Sequence, residues 1–173
     1  MSLYKNKFRI ESNRLKEWDY SNPWWYYISI NTKNHVNWFG EIKNDKVVLN
    51  EIGLIVKENL NSIHKHFDMV ELDSFIIMPN HIHAIVIINE IENKIKCSGR
   101  DGIYPVSTKK AISLSTIIGT FKASVTRWCN NNDIKEFSWQ ERFYDRIIRN
   151  DKELERIRKY IQLNPIRWVI KNL

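Results

Sequence analysis

The sequence predicts an α+β fold: a single antiparallel sheet with helices packed against it. Three observations predict it. The element order is strands, helix, two strands, helix, strand, helix, with no internal repeat and no low-complexity tract. Strand candidates are separated by turn residues such as Asn44-Asp45 and Pro79-Asn80. The chain has 173 residues, 43% hydrophobic and 12% aromatic, which suits one domain over 1–173 and leaves too little for two. With only 5 Gly and 4 Pro, collagen-like and linker-like classes are excluded.

Residues 1–20 are basic and mixed, an irregular lead-in. Residues 24–32 (WWYYISINT) are aromatic and β-branched, which favours a strand. Two short strands at 36–42 and 46–50 flank Asn44-Asp45 and predict a hairpin. Over 51–67, Ile52, Ile55, Leu60, Ile63 and Phe67 fall near one helical face. SFIIM (74–78) and HIHAIVII (81–88) are strands, the second apolar on both faces as a central strand is. Residues 89–111 are charged, carry Ser-Gly-Arg-Asp-Gly, and form the candidate flexible insertion. Residues 112–130 predict a helix, with Ile117, Phe121 and Val125 four apart. Residues 139–149 are a loop leading into a short strand. Asn150 with Glu153 forms a capping box for a last helix, which Pro165 should stop near residue 164.

Cys97 and Cys129 lie far apart, so neither a disulfide framework nor a cysteine zinc site is indicated. The start lacks the apolar region of a secretory signal. The longest apolar run, Ala84 to Ile88, falls far short of the ~20 residues that span a bilayer. A soluble cytoplasmic protein with no membrane partner is expected.

Lys and Arg number 27 against 20 Asp and Glu, a net +7 that attracts polyanions, nucleic acid above all. Segment 141–173 holds +4 of it. Arg142, Arg146, Arg149, Arg156 and Lys159 there, with Lys122 and Arg127 on helix 112–130, are candidate phosphate contacts, or simply a solvated basic face. Trp139, Phe143, Tyr144 and Trp168 interleave them, as stacking platforms for single-stranded bases or as core.

His81 and His83 flank Ile82 on a strand, so both imidazoles point to one face. Two such imidazoles suit a divalent metal or a hydrogen-bonded pair within a sheet. His64 and His66 share the spacing on a helix, where residues two apart diverge by roughly 200° and cannot share a metal. On the last helix, with Leu154 at zero and ~100° per residue, Ile157 and Ile161 set a buried stripe, and Tyr160 and Asn164 share its edge. Tyr160 is then a core-edge tyrosine with its hydroxyl in water, or a nucleophile. Asn164 could add a neutral oxygen ligand.

Together these segments resemble a known family. MPNHIHAIVII (78–88) resembles the histidine–hydrophobic–histidine (HUH) strand of single-tyrosine transposases of insertion sequences. WQERFYDRIIRN (139–150) followed by YIQLNPIRW (160–168) resembles the REP-associated tyrosine transposase branch. RLKEWDYSNPWWYYISI (14–30), FGEI (39–42), VVLNEIG (47–53) and FKASVTR (121–127) are similar to it too. The resemblance covers nearly the whole chain except 89–111.

It implies a compact antiparallel sheet related to the ferredoxin-like and RNA-recognition layouts. It implies His81 and His83 as the metal pair with Asn164 as third ligand, Mg²⁺ or Mn²⁺ as cofactor, and Tyr160 as the nucleophile. The implied activity is metal-dependent cleavage and rejoining of single-stranded or hairpin DNA through a 5′-phosphotyrosine. Relatives act as dimers or alone, so homodimer and monomer both stay open. A non-catalytic DNA-binding regulator on the same fold, or a related replication initiator or relaxase, are the alternatives. A two-histidine-motif phosphoesterase would need a second histidine motif, which His35, His64 and His66 do not supply.

Overall fold

The structure is a computed structural model describing residues 3–4, 8–9, 14–15, 17–90 and 112–171. The insertion expected at 89–111 lies, from residue 91 on, outside the described residues. Among the described residues, eight strands and five helices follow in order: β1 Leu3–Tyr4, β2 Phe8–Arg9, β3 Trp24–Asn31, β4 Gly40–Lys43, β5 Lys46–Leu49, α1 Glu51–Asn61, α2 Ile63–His66, β6 Val70–Met78, β7 His81–Ile88, α3 Leu114–Asn131, β8 Tyr144–Ile147, α4 Asp151–Gln162 and α5 Asn164–Lys171.

The main sheet has the order β6-β7-β3-β8, antiparallel throughout. Numbered within the sheet, this is β-α-β-β-α-β with the first and third strands central, the ferredoxin-like arrangement. β7 is central, as its two-faced apolar sequence requires. One face, lined by Ile28, Ile30, Ile82, Ala84 and Val86, packs on α1 and α3 and holds the larger core. The opposite face carries Tyr27 and Ile85, on which α4 lays Ile157 and Ile161. Period-2 alternation of β3 and β7 splits each strand between the two cores.

Local chemistry explains the elements. Asn44 and Asp45 both adopt positive φ, 50° and 60°, the pair a two-residue hairpin turn needs between β4 and β5. The strand expected at 36–42 is shortened to Gly40–Lys43, because Phe39 binds elsewhere. Its N–H donates to the Pro79 carbonyl, its carbonyl accepts from Asn50, and its ring joins Phe137 and Trp139 in the core. Gly53 on α1 is set by close approach, since a Cβ there would stand 2.1 Å from the Phe39 oxygen. Asn50, Ser113 and Asn150 cap α1, α3 and α4 by accepting from Gly53, Thr116 and Glu153.

Two boundaries differ from expectation. The helix over 51–67 breaks at Ser62 into α1 and α2, and Val56 takes a core place that Ile55 was expected to hold. The last helix ends at Gln162, and Pro165 then sits in the first turn of a new helix, α5, where its missing N–H costs nothing. No helix among the described residues is long and apolar enough to cross a membrane.

Candidate active site

The site lies on the sheet face covered by α4. His81 and His83 both project from β7 toward it, with ring centroids 4.7 Å apart. His83 is 6% exposed. The Tyr160 ring on α4 packs edge-on against it at 5.2 Å. Tyr160 therefore faces the histidines of its own chain.

α4 is fixed by three attachments. Ile157 and Ile161 are buried on the sheet. A β-bulge interrupts the β6–β7 register between Leu72 and Ser74. The extra residue, Asp73, accepts a two-pronged hydrogen bond from Arg158, with Nε at 2.9 Å. Bulges re-aim side chains, and this one ties α4 to the sheet edge. At the other end, Glu153 accepts from the Arg149 N–H and pairs with Arg146 at 2.6 Å.

Each histidine has an oxygen partner on Nδ1. Asn80 Oδ1 lies 2.7 Å from His81 Nδ1, and the Asn80 amide donates in turn to the His35 carbonyl. The Tyr27 hydroxyl lies 2.8 Å from His83 Nδ1. Tyr27 faces Ile85 in the β3–β7 register, so His83 is its diagonal neighbour on the same face, within reach of a long side chain. Metal-ligating histidines are held by such partners, which leave Nε2 to ligate. Asn164 is 6% exposed, and its side chain interacts with the His81 ring. It does so from the start of α5, whereas the helical wheel placed it on the same helix as Tyr160.

Burial sets the protonation states. It pushes His81 down to about 4 and His83 to about 3, the latter helped by the charge His81 would carry. Burial, then the neighbouring Tyr160 and Tyr144, pushes Tyr27 well above the ordinary tyrosine range. Both imidazoles are thus neutral at pH 7, the form that ligates. Among the described residues no three His, Cys, Asp or Glu stand together for a metal. His81, His83 and Asn164 together offer two imidazoles and one carboxamide, uncharged overall, a chemistry that would fit a divalent ion.

A pH prediction follows from these values. The folded histidine pKa values lie below the unfolded value of about 6.5. The unfolded chain therefore binds more protons below that pH, and stability falls as pH drops from about 6.5 toward 4. By pH 5 the loss for metal-free protein is on the order of 2 kcal/mol per histidine. Urea unfolding at pH 7.5 and pH 5 measures it, and His83→Gln removes its share of the difference.

The basic candidates divide. Arg142, Arg146 and Arg149 border β8, and Arg156 and Lys159 are exposed on α4. Arg146 stands opposite Tyr27 in the sheet register, on the site face. Lys122 and Arg127 ride on α3, which packs across the sheet from the histidines. Lys122 is also committed locally, donating to the Gln140 carbonyl at 2.7 Å and the Arg142 carbonyl at 3.2 Å, and burial lowers it to about 8. The aromatics divide too. Trp139 and Phe143 pack against the larger core, whereas Tyr144 meets Tyr27 edge-on at 6.1 Å and Trp168 tilts over His81 at 5.6 Å. Arg167 stands over the Tyr160 ring at 5.3 Å.

Sequence reasoning singled out neither Tyr27 nor Asn80 as a partner of the histidines, and counted Arg167 only among the cations of 141–173. Asn80 had a local signal, its adjacency to His81. Tyr27 had none, because its role arises from the β3–β7 register.

No family model matches the chain. A solved structure of the REP-associated tyrosine transposase bound to a REP hairpin superposes with a TM-score of 0.59 and 18% identity, over 91% of this chain and 74% of that one. The fold is shared with that transposase. An uncharacterized protein of Haemophilus influenzae (strain Rd) is 36% identical over 159 residues, 91% of this chain and 88% of that protein. At that identity and coverage, the chain belongs to the same protein family as the Haemophilus influenzae protein.

Proposed function

We propose that the protein is a metal-dependent single-stranded DNA transposase of the REP-associated kind, which cleaves and rejoins DNA beside hairpins. The observation that carries this reading is Tyr160 on α4 packed 5.2 Å from His83, beside His81, on one face of a sheet shared with a transposase. His81, His83 and Asn164 would hold Mg²⁺ or Mn²⁺, which when bound supplies a Lewis acid for the phosphate oxygens.

Tyr160 Oη attacks the phosphorus of a phosphodiester. The new bond is P–O(Tyr160), the bond broken is P–O3′, and the proton lost by the phenol is balanced by one gained at the 3′ oxygen. The products are a 5′-phosphotyrosine and a free 3′-OH. Attack by a 3′-OH on the phosphotyrosine reverses the step and joins strands without ATP, since the ester bond is conserved. Arg142, Arg146, Arg149, Arg156 and Lys159 would position the backbone phosphates, and Tyr144 and Trp168 offer rings to bases at the rim. Lys122 and Arg127, across the sheet, would meet only DNA that wraps round the molecule. One chain supplies both nucleophile and histidines, so a monomer suffices for cleavage, and residues 1–173 act as one domain in the cytoplasm.

The test is a nicking assay on end-labelled single strands carrying a hairpin, with Mn²⁺ and with chelator. Metal-dependent nicking beside the hairpin, leaving protein on the 5′ end, is expected. Nicking unaffected by chelator contradicts the metal site, and hairpin binding without any nicking favours the non-catalytic regulator.

A further inference from the structure

Tyr27 is buried between the histidine strand and the nucleophile helix, and neither half of the proposed chemistry needs it by composition. Its ring stacks on His83 with centroids 5.7 Å apart and planes 26° apart. It meets Tyr160 edge-on at 6.3 Å and Tyr144 at 6.1 Å. Its hydroxyl is hydrogen-bonded to His83 Nδ1 at 2.8 Å. Core packing alone would be served by a phenylalanine. The hydroxyl instead reaches a polar atom of His83, which touches both His81 and Tyr160.

We propose that Tyr27 is a positioning residue that links His83 to Tyr160, holding the imidazole plane and the nucleophile in one geometry. The proposal rests on the reading of Tyr160 as nucleophile. With His83 Nε2 committed to a ligand, a neutral ring carries its hydrogen on Nδ1 and donates it to the Tyr27 oxygen. The Tyr27 ring meanwhile meets Tyr160 edge-on, so the residue that orients the imidazole also bounds the nucleophile. One residue thus fixes the His83 ring through its hydroxyl and seats Tyr160 against its own ring. Such a link acts on the placement of the reacting oxygen, where misplacement by about 1 Å can cost on the order of 10²-fold in rate.

The experiment compares wild type, Tyr27→Phe and Tyr160→Phe on a labelled hairpin strand. It measures single-turnover nicking rate, hairpin Kd in chelator, melting temperature, and the Mn²⁺ half-saturation by electron paramagnetic resonance without DNA. Tyr27→Phe keeps the ring and removes only the hydroxyl. Expected are a nicking rate about 10- to 100-fold lower, a Mn²⁺ half-saturation about tenfold weaker, and an unchanged hairpin Kd. Equal nicking rate and Mn²⁺ binding in Tyr27→Phe and wild type overturn the proposal. A lower melting temperature with rate and Mn²⁺ binding unchanged reduces Tyr27 to core packing and overturns it as well. Absence of nicking by wild type overturns the reading beneath it, which Tyr27→Phe alone cannot do.

Discussion

Tyr160→Phe is expected to abolish the covalent protein–DNA adduct while leaving hairpin binding within about twofold of wild type. The substitution removes one oxygen and keeps the ring that packs against His83 and Tyr27. Ile157 and Ile161 still hold α4 to the sheet, and Arg158 still grips Asp73, so the fold is unaffected. The loss of nicking is expected to reach at least about 10³-fold, because no neighbouring group replaces a missing nucleophile. Tyr144 is an exposed tyrosine near the site, and it meets Tyr27 rather than the histidine pair. Denaturing gels of labelled strands resolve the adduct. Cleavage by Tyr160→Phe at the wild-type rate would remove the tyrosine from the chemistry.

His81→Ala and His83→Ala are expected to weaken Mn²⁺ binding and nicking by about 100-fold or more each, since each removes one of only two imidazoles in the donor set. The two variants should differ in stability. His83 is the more buried, and its loss strands the Tyr27 hydroxyl, whereas loss of His81 frees Asn80 and uncovers Trp168 at the rim. Because Tyr160 packs on the histidines of its own chain, a mixture of Tyr160→Phe and His83→Ala proteins is expected to stay inactive. Restored nicking in the mixture would mean that helices are exchanged between two copies during catalysis.

The fold was legible where one residue type carries one consequence. The Asn44-Asp45 turn, the Asn150 cap and the two-faced apolar run of β7 each appear in the structure as expected. Legibility failed where the outcome depends on distant partners. Phe39 leaves a strand-like sequence to join Phe137 and Trp139, and Pro165 opens a helix instead of ending the helical region. In the site, the HxH spacing and the helical position of Tyr160 sufficed to bring those residues to one face. The charge pattern was coarser. Arg146 and Arg156 both approach Glu153, and Arg158 serves as a clamp to Asp73. A count of cations over 141–173 therefore overstates the positive surface around Tyr160. Tyr27 shows the remaining limit, because one aromatic in WWYYISI carries no mark that a diagonal neighbour on another strand is His83.

The central claim is that Tyr160 forms a covalent bond to DNA at the His81–His83 face. Its most direct measurement is mass spectrometry of peptides from the protein incubated with a hairpin single strand and Mn²⁺, after nuclease trimming. A peptide containing Tyr160 that carries a 5′-linked nucleotide, absent in chelator, is the predicted result. A wild-type protein that nicks the strand with no nucleotide on Tyr160, or with the nucleotide on another residue, would contradict it.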